Sequence, residues 1–449
     1  MPRARYLLFC VSLFLVSITS AGLCGEEKGA TPYPYIYLTW QNNTDTTMTV
    51  SVHSTQPGEE ITVYYDTKPH EGNVQHYQYA TTEKGFAVPG LPAERRVYHV
   101  ELQNLKPATT YYFVVGHQKT GFSEEKKFRT LSDGDESITF VEGGDWEITE
   151  TSDELSKVAA KKDPMFVLLG GDYPRDVRSL SDYYKWDAWL AMYTKNMVTP
   201  DGHLIPMILA IGNQEVFEGY GKTAQDVPFF LHYFKQTSTN KTYFSRAIGK
   251  NLVLFILDSG HVASHDGEQL EWLEKEMDLQ KEIPLKMAVY HIPLYPSVRF
   301  ASADTFYHSL HGTLTLLDRQ DIAVRMLSPY SALGREHWLP VFDKYELNTA
   351  FEHHDHALKR TKPMRGGEIN PKGTLYLGDG CWGPDLQYSP IQPYFHLYFA
   401  KTLGQQQCFW LVTVDRNSIL YQAISKEGAV LDEYRSGRKF SIWDMIPSP

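Results

Sequence analysis

Met165-Phe166-Val167-Leu168-Leu169-Gly170-Gly171-Asp172 is a short apolar run that stops on two glycines and a carboxylate. A run this short, closed by a Gly-Gly turn, reads as a buried strand rather than a helix. The same grammar recurs on either side. Ile138–Val141 leads to Gly143-Gly144-Asp145, Met207–Ile211 to Gly212-Asn213, and Lys286–Tyr290 to His291. A last short strand near Phe351 leads to His353-His354-Asp355-His356, and Leu252–Leu257 is a further run of the buried-strand type. Helix candidates lie between these runs. The clearest is Gln269–Leu279, with Leu270, Leu273 and Met277 on one face and a capping box expected between Asp266 and Gln269. Strands alternating with helices predict an α/β domain, α+β in its wider organisation, over residues 137–403.

Upstream the pattern is different. In residues 30–131 Met48, Val50 and Val52 alternate with polar residues, as do Ile61, Val63 and Tyr65. Period-two runs separated by turn-rich gaps predict a small β-sandwich. Leu131-Ser132-Asp133-Gly134-Asp135-Glu136 is a polar linker between the two regions. Downstream, residues 404–449 return to strand-like patterning, with Phe409, Leu411 and Thr413 on one face, and are expected to pack on the α/β domain.

The chain has 449 residues, 42% of them hydrophobic and 22% charged, enough to bury a sizeable core in two or three domains. Its net charge of −11 carries no global basic footprint for nucleic acid. Arg3 and Arg5, the apolar run Tyr6–Val16, and Ser20-Ala21-Gly22 follow the order of a secretory signal peptide spanning residues 1–24. The run is short for a bilayer span, and no later segment is long and apolar enough to be one. A secreted or periplasmic protein with no membrane span after cleavage is expected. Of four cysteines, only Cys24, Cys381 and Cys408 lie outside the leader run, which excludes a cysteine-stapled scaffold. A Cys381–Cys408 disulfide would suit an oxidising compartment.

Taken one at a time, the polar residues at the strand ends read as turns, caps or satisfied histidines. Jointly they form an ordered set of carboxylate, carboxamide and imidazole donors, each beyond the carboxyl end of a strand, where open α/β folds gather ligands. Hard oxygens with imidazole nitrogens suit Fe, Mn or Zn rather than a thiolate metal. Two aspartates, one able to bridge, suggest a pair of ions about 3.5–4 Å apart.

These residues resemble the calcineurin-like metallophosphoesterases, and among them the purple acid phosphatases. The likeness runs from about Tyr35 to Trp410. It rests on Gly144-Asp145, Gly171-Asp172, Gly212-Asn213-Gln214-Glu215, Tyr290-His291-Ile292-Pro293-Leu294-Tyr295, His354-Asp355-His356-Ala357-Leu358-Lys359-Arg360-Thr361 and Gly373–Gly380. In front, Leu105-Lys106-Pro107-Ala108-Thr109-Thr110-Tyr111 resembles the fibronectin type III signature, whose Tyr makes a corner hydrogen bond. The resemblance implies a metallophosphoesterase αββα sandwich behind the N-terminal β-sandwich. It also implies two metal ions acting on a small phosphorylated substrate by attack of a metal-bound hydroxide. Asp145 and His356 would hold the first metal, Asp172 would bridge, and Asn213, His291 and His354 would complete the second.

Two positions depart from the family pattern. The Tyr of its Gly-Asp-x-x-Tyr block ligates the first metal and gives the purple charge-transfer band; here that position is Arg175, either a phosphate clamp or a displaced surface residue. The His of its Gly-Asn-His block contacts phosphate and is a candidate proton donor; here it is Gln214, which can donate a hydrogen bond but is no acid near neutral pH. Glu147 either replaces the lost first-metal ligand or is a solvated residue. The expected functions are therefore an active phosphatase, a weak or inactive metal- and phosphate-binding relative, or an adhesion protein led by the β-sandwich.

Overall fold

The computed structural model describes residues 32–437 apart from 57, 59, 299–328, 379, 388–397 and 417. The leader expected at residues 1–24, Cys24 included, lies outside the described residues.

Eight strands build the N-terminal sandwich: β1 (Tyr35–Thr39), β2 (Met48–Ser54), β3 (Glu60–Asp66), β4 (Tyr79–Lys84), β5 (Arg96–Leu102), β6 (Thr110–His117), β7 (Gly121–Phe122) and β8 (Lys126–Arg129). One sheet runs β1-β2-β5; the other runs β4-β3-β6-β7, with β8 also on β6. Met48, Val50 and Val52 point into the shared core, as their alternation predicts. The corner hydrogen bond of Tyr111 is formed, its hydroxyl accepting from Lys106 N at 2.9 Å.

The other face of β2 departs from the simple alternation. Thr49, Ser51 and His53 are polar yet fully buried. That side of the sheet docks on the second domain, where polar groups meet partners. His53 accepts from Arg95 Nη2 at 2.8 Å and faces Tyr37 Oη at 3.0 Å. Tyr37 donates to Tyr233 O at 2.7 Å, and Arg95 grips Asp187 with two bonds of 2.6 Å.

The second domain holds two sheets. The first contains β9 (Ile138–Gly143), β10 (Val167–Leu169), β11 (Met207–Leu209), β21 (Cys408–Val414), β22 (Ser418–Ser425) and β23 (Val430–Gly437), in the order β11-β10-β9-β21-β22-β23. The second contains β12 (Phe244–Ile248), β13 (Leu252–Ile256), β14 (Leu285–Tyr290), β15 (Thr349–Glu352), β16 (Leu358–Thr361), β19 (Leu375–Gly378) and β20 (Phe399–Leu403), in the order β12-β13-β14-β15-β19-β16-β20. Between them in sequence, β17 (Met364–Arg365) and β18 (Glu368–Ile369) form a small hairpin. The C-terminal strands are thus part of the first sheet, through antiparallel pairing of β21 with β9.

Period two decides the layering. Phe140, Leu168, Ile208, Trp410 and Val412 meet Leu254, Ile256, Met287, Val289 and Phe351 in the core between the sheets. The opposite face of the first sheet, with Val141, Val167 and Leu169, is covered by α1 (Glu150–Ala160), α2 (Tyr183–Asn196) and α3 (Pro228–Tyr233). The opposite face of the second, with Val253, Phe255 and Ala288, is covered by α4 (Gly267–Leu279) and α5 (Pro329–Lys344). The result is the expected αββα sandwich.

The capping box expected on α4 is absent. Asp266 is the N-cap but makes no side-chain cap bond. Gln269 turns inward instead: its Oε1 accepts from Asp258 N at 2.8 Å, and its Nε2 donates to Asp258 O at 2.9 Å and Ser264 O at 2.8 Å. A buried amide that satisfies three backbone groups of the preceding loop outweighs one exposed cap.

Candidate metal centre

Strands β9, β10 and β11 run parallel with Gly143, Leu169 and Leu209 at the same level, and β14 runs parallel to β15 with Tyr290 opposite Glu352. The residues just past these ends therefore gather at one edge. Asp145, Asp172 and His354 have φ of 54°, 57° and 66°, in the left-handed region that ordinary residues seldom occupy. Strain at three candidate ligands is a mark of a functional site.

The glycines in front of the aspartates have a steric cause. A Cβ on Gly144 would stand 2.6 Å from His353 Nδ1, and one on Gly170 would stand 1.7 Å from His353 Cδ2. The buried His353 ring fills the space between the two Gly-Asp turns, with its Nε2 2.8 Å from Glu142 Oε1 and its backbone N–H donating to His291 O at 3.0 Å.

Asp172, His291 and His354 offer ligand atoms that all lie within 4.8 Å of one another. His291 Nδ1 is 3.0 Å from Gly170 O, an acceptor only, so Nδ1 carries a proton and Nε2 is the nitrogen turned to the centre. That Nε2 faces Asp172 Oδ2 at 3.1 Å, His354 Nδ1 at 3.1 Å and Asn213 Oδ1 at 3.2 Å. Tyr220 Oη donates to the same Asn213 oxygen at 3.2 Å. Burial opposes charge on His291, but Asp172 and Asp145 raise its pKa, so the electron-rich oxygens gathered here favour a positive charge among them, a proton or a metal cation. This donor set therefore fits a metal ion.

Asp145 and His356 repeat the arrangement. His356 Nδ1 is 2.7 Å from Asp385 O, so its Nε2 lone pair faces Asp145 Oδ1, at 3.1 Å. The other Asp145 oxygen accepts from His354 N at 2.9 Å. A proton can stand in for the cation. Burial opposes charge on His356, but its bond to Asp145 lifts the imidazole to about 9. Burial likewise opposes charge on Asp145, but His291 and His356 hold its carboxyl down at about 2. Since His356 is raised above its ordinary 6.5, its proton stabilises the metal-free fold fully below about pH 6.5, and that contribution is lost as the pH rises to about 9. A cation at the same nitrogen must displace the proton. Apparent metal affinity should thus climb with pH across this window, by up to roughly tenfold per unit. Competition titrations with a chelator would check this, and a flat profile would remove His356 from the ligand set.

Four residues beside these candidate ligands make other contacts. Arg175 Nη1 lies 3.2 Å from both Glu147 oxygens and 3.7 Å from Asp385 Oδ2, so Glu147 spends its carboxylate on an ion pair at the half-exposed rim. Gln214 Oε1 accepts from Asp176 N at 2.8 Å, while its backbone N–H donates to Asp172 Oδ1 at 2.8 Å. Tyr173 is fully buried and turned away from the centre, donating to Ala210 O at 2.6 Å.

Glu215 was not singled out by sequence reasoning. Fully buried, it accepts from Gly212 N at 2.7 Å, Tyr173 N at 2.8 Å and Asp172 N at 2.9 Å, tying the turn after β10 to the turn after β11. Burial, with the Asp172 charge added, pushes its carboxyl up to about 8. Asp355 similarly accepts from Ser297 N and Val298 N at 2.7 and 2.8 Å and pins the loop after β14. Of the four residues His353–His356, only His354 and His356 face the centre. A periodicity argument cannot separate a ligand from its buried neighbour.

Comparison with known proteins bears on the fold. Residues 34–130 match the family model described as the purple acid phosphatase N-terminal domain. The chain is 24% identical over 322 residues to purple acid phosphatase 15 of Arabidopsis thaliana, an alignment covering 63% of this chain and 53% of that protein. It is also 24% identical over 375 residues to an uncharacterized protein of Mycobacterium tuberculosis, covering 76% and 64%. These matches thus span less than two thirds of the relatives' own length. Among solved structures, the purple acid phosphatase PPD1 from yellow lupin (Lupinus luteus) seeds superposes with a TM-score of 0.68 at 18% identity, covering 90% of this chain and 74% of that one. PhoD superposes with a TM-score of 0.66 at 12% identity, covering 91% and 90%. The chain is purple acid phosphatase-like in fold, and its residues 34–130 match the N-terminal domain of that family.

Proposed function

We propose that this chain is an exported phosphoesterase that cleaves small phosphate monoesters at a pair of metal ions. The convergence of His291 Nε2, His354 Nδ1, Asp172 Oδ2 and Asn213 Oδ1 is the observation that carries the reading. Export is supported by the basic, apolar and small-residue order of the leader. No helix among the described residues is long and apolar enough to cross a membrane.

Ions of the Fe, Mn or Zn type would supply Lewis acidity and lower the pKa of a water nucleophile. Asp145 and His356 are the residues to hold the first, Asp172 to bridge, and Asn213, His291 and His354 to hold the second. Gln214 has its carbonyl engaged by Asp176 N, which leaves its amide N–H groups to orient a phosphoryl oxygen. It cannot protonate a leaving alkoxide, so aryl esters should be cleaved far faster than alkyl esters. Metal analysis of the purified protein beside aryl phosphate turnover across pH tests the reading. Full turnover in a metal-free preparation would sink it.

The purple band should be missing even after iron loading. The family's ligand position is Arg175, whose guanidinium stays protonated, and the nearest tyrosine, Tyr173, is committed to the core. A visible spectrum of the iron-loaded protein checks this; a strong band would require another phenolate at the first metal.

A second reading, a metal- and phosphate-binding relative with little turnover, is favoured by the Arg175–Glu147 ion pair. It places a cation at the rim beside Asp385, whose carbonyl orients His356, and ties up the carboxylate proposed to replace the missing ligand.

A further inference from the structure

Glu352 and Lys359 form an ion pair in which both side chains are buried, at 0% and 1% exposure. Glu352 is the last residue of β15 and Lys359 the second of β16, so the pair closes the base of the turn that carries His354 and His356. Tyr290, Leu294 and Tyr295, which meet the pair, belong to the core cluster around Trp338 and Phe342. The sheet makes room for it. Gly378 lies opposite Lys359, and a Cβ there would stand 2.5 Å from Lys359 Cε.

Taking two opposite charges out of water is unfavourable, and apolar replacements of such pairs are often as stable or more so. The pair therefore calls for a role besides stability, and its other partners point to one. Glu352 Oε1 accepts from Tyr290 Oη and from Leu294 N, each at 2.7 Å, and Oε2 accepts from Tyr295 N at 3.3 Å. Lys359 Nζ donates to that second oxygen and to Tyr295 O. Tyr290 immediately precedes His291, and Leu294 and Tyr295 lie just beyond it. One carboxylate thus grips the chain on both sides of His291, while its own strand leads through His353 into His354. His353 N donates to His291 O at 3.0 Å, which joins the two segments again beside the candidate ligands. His356 is oriented separately, by Asp385 O.

We propose that Glu352 and Lys359 are positioning residues for the second metal, fixing His291 Nε2 and His354 Nδ1 at the separation and angle that one ion needs. The proposal rests on the metal-centre reading above and names what sets affinity at its second position. A small displacement of either imidazole alters its bond to the ion but leaves the packed core intact, so affinity and stability can change independently.

The test is competition titration of the full chain with Zn²⁺ against a chelator, beside thermal unfolding of the metal-free protein. Lys359→Met alone leaves the Glu352 charge buried without its partner and should lower the melting temperature sharply. Glu352→Gln combined with Lys359→Met removes both charges, so the melting temperature should return to within a few degrees of wild type. The one carbonyl of Gln cannot serve all three donors, so one Zn²⁺ step should stay weaker by about 10–100-fold, with the other step unchanged. Tyr290→Phe withdraws a single bond and keeps the ring in the core. It should fold like wild type and bind the same ion about threefold more weakly. A folded double variant that binds both ions as wild type does would overturn the proposal. Affinity that recovers together with the melting temperature would do the same, because the pair would then act on stability alone. Should the double variant not fold, unchanged affinity in Tyr290→Phe would overturn it. Wild-type protein that takes up no Zn²⁺ would overturn the metal-centre reading and this proposal together.

Discussion

Asp172→Asn should weaken metal binding by roughly 10²-fold or more and cut aryl phosphate turnover by roughly 10²–10³-fold. The substitution isolates charge from shape. Asn tolerates the left-handed backbone that Asp172 adopts, and its carbonyl can still accept from Gln214 N, so the turn stays folded. What disappears is the carboxylate charge proposed to bridge the two metals, 3.1 Å from His291 Nε2. The loss should exceed that from changing a partner outside the ligand set, which typically costs ~10–100-fold. His354→Ala should do the same at the second position, with an added backbone cost because Ala is poorly suited to φ of 66°. Elemental analysis and turnover measured on the same preparation decide the matter; an Asn variant that keeps both metals and full rate would exclude a bridging role for Asp172.

Arg246→Met should destabilise the protein by about 3–5 kcal/mol. Arg246 is 8% exposed and spreads its guanidinium over the carbonyls of Trp40, Gln41, Asn42 and Gln236. Three of these belong to the sandwich and one to the loop after α3, so a single side chain pins the two domains together. Burial lowers its pKa to about 10, yet it remains charged at neutral pH. Methionine fills much of the volume but leaves the carbonyls without donors, each a cost of ~1–3 kcal/mol. Arg246→Lys, keeping charge but losing the planar fork, should fall between the two. Urea unfolding gives the ranking; a Met variant within about 1 kcal/mol of wild type would mean that water or backbone movement satisfies the carbonyls.

Much of this was legible in the sequence because strand ends are marked by a change of residue type. Val167–Leu169 is apolar, Gly170-Gly171 is a turn, and Asp172 can only face polar surroundings; Asp145, Asn213, His291 and His354 follow the same logic. The buried polar residues were not legible. Glu215 and His353 look like any surface Glu and His until the backbone amides and glycines around them are known. Gln269 looked like a capping residue for the same reason: a side chain's partner across a loop leaves no periodic trace. The polar face of β2 misled in the opposite direction, since Thr49, Ser51 and His53 read as solvent-facing but meet a second domain. Arg175 stood out because it breaks a motif and Glu147 because it lies two residues after Asp145, but nothing in the sequence shows that they pair with each other.

The strand that presents Asp145 has consequences for how the protein is made. β9 pairs with β10 on one side, but its other neighbour is β21, with Ile138 opposite Val414 and Glu142 opposite Trp410. On a ribosome, the edge of β9 stays bare until residue 414 has emerged, long after β10 and β11 are available. Contacts so distant in sequence are slow to form, and an open strand edge is a template for wrong partners in the interval. Glu142, which supports His353 beneath the two Gly-Asp turns, sits on that late-closing strand. The edge that carries the candidate ligands is therefore completed only late in synthesis, and until β21 joins it β9 is exposed to wrong pairing.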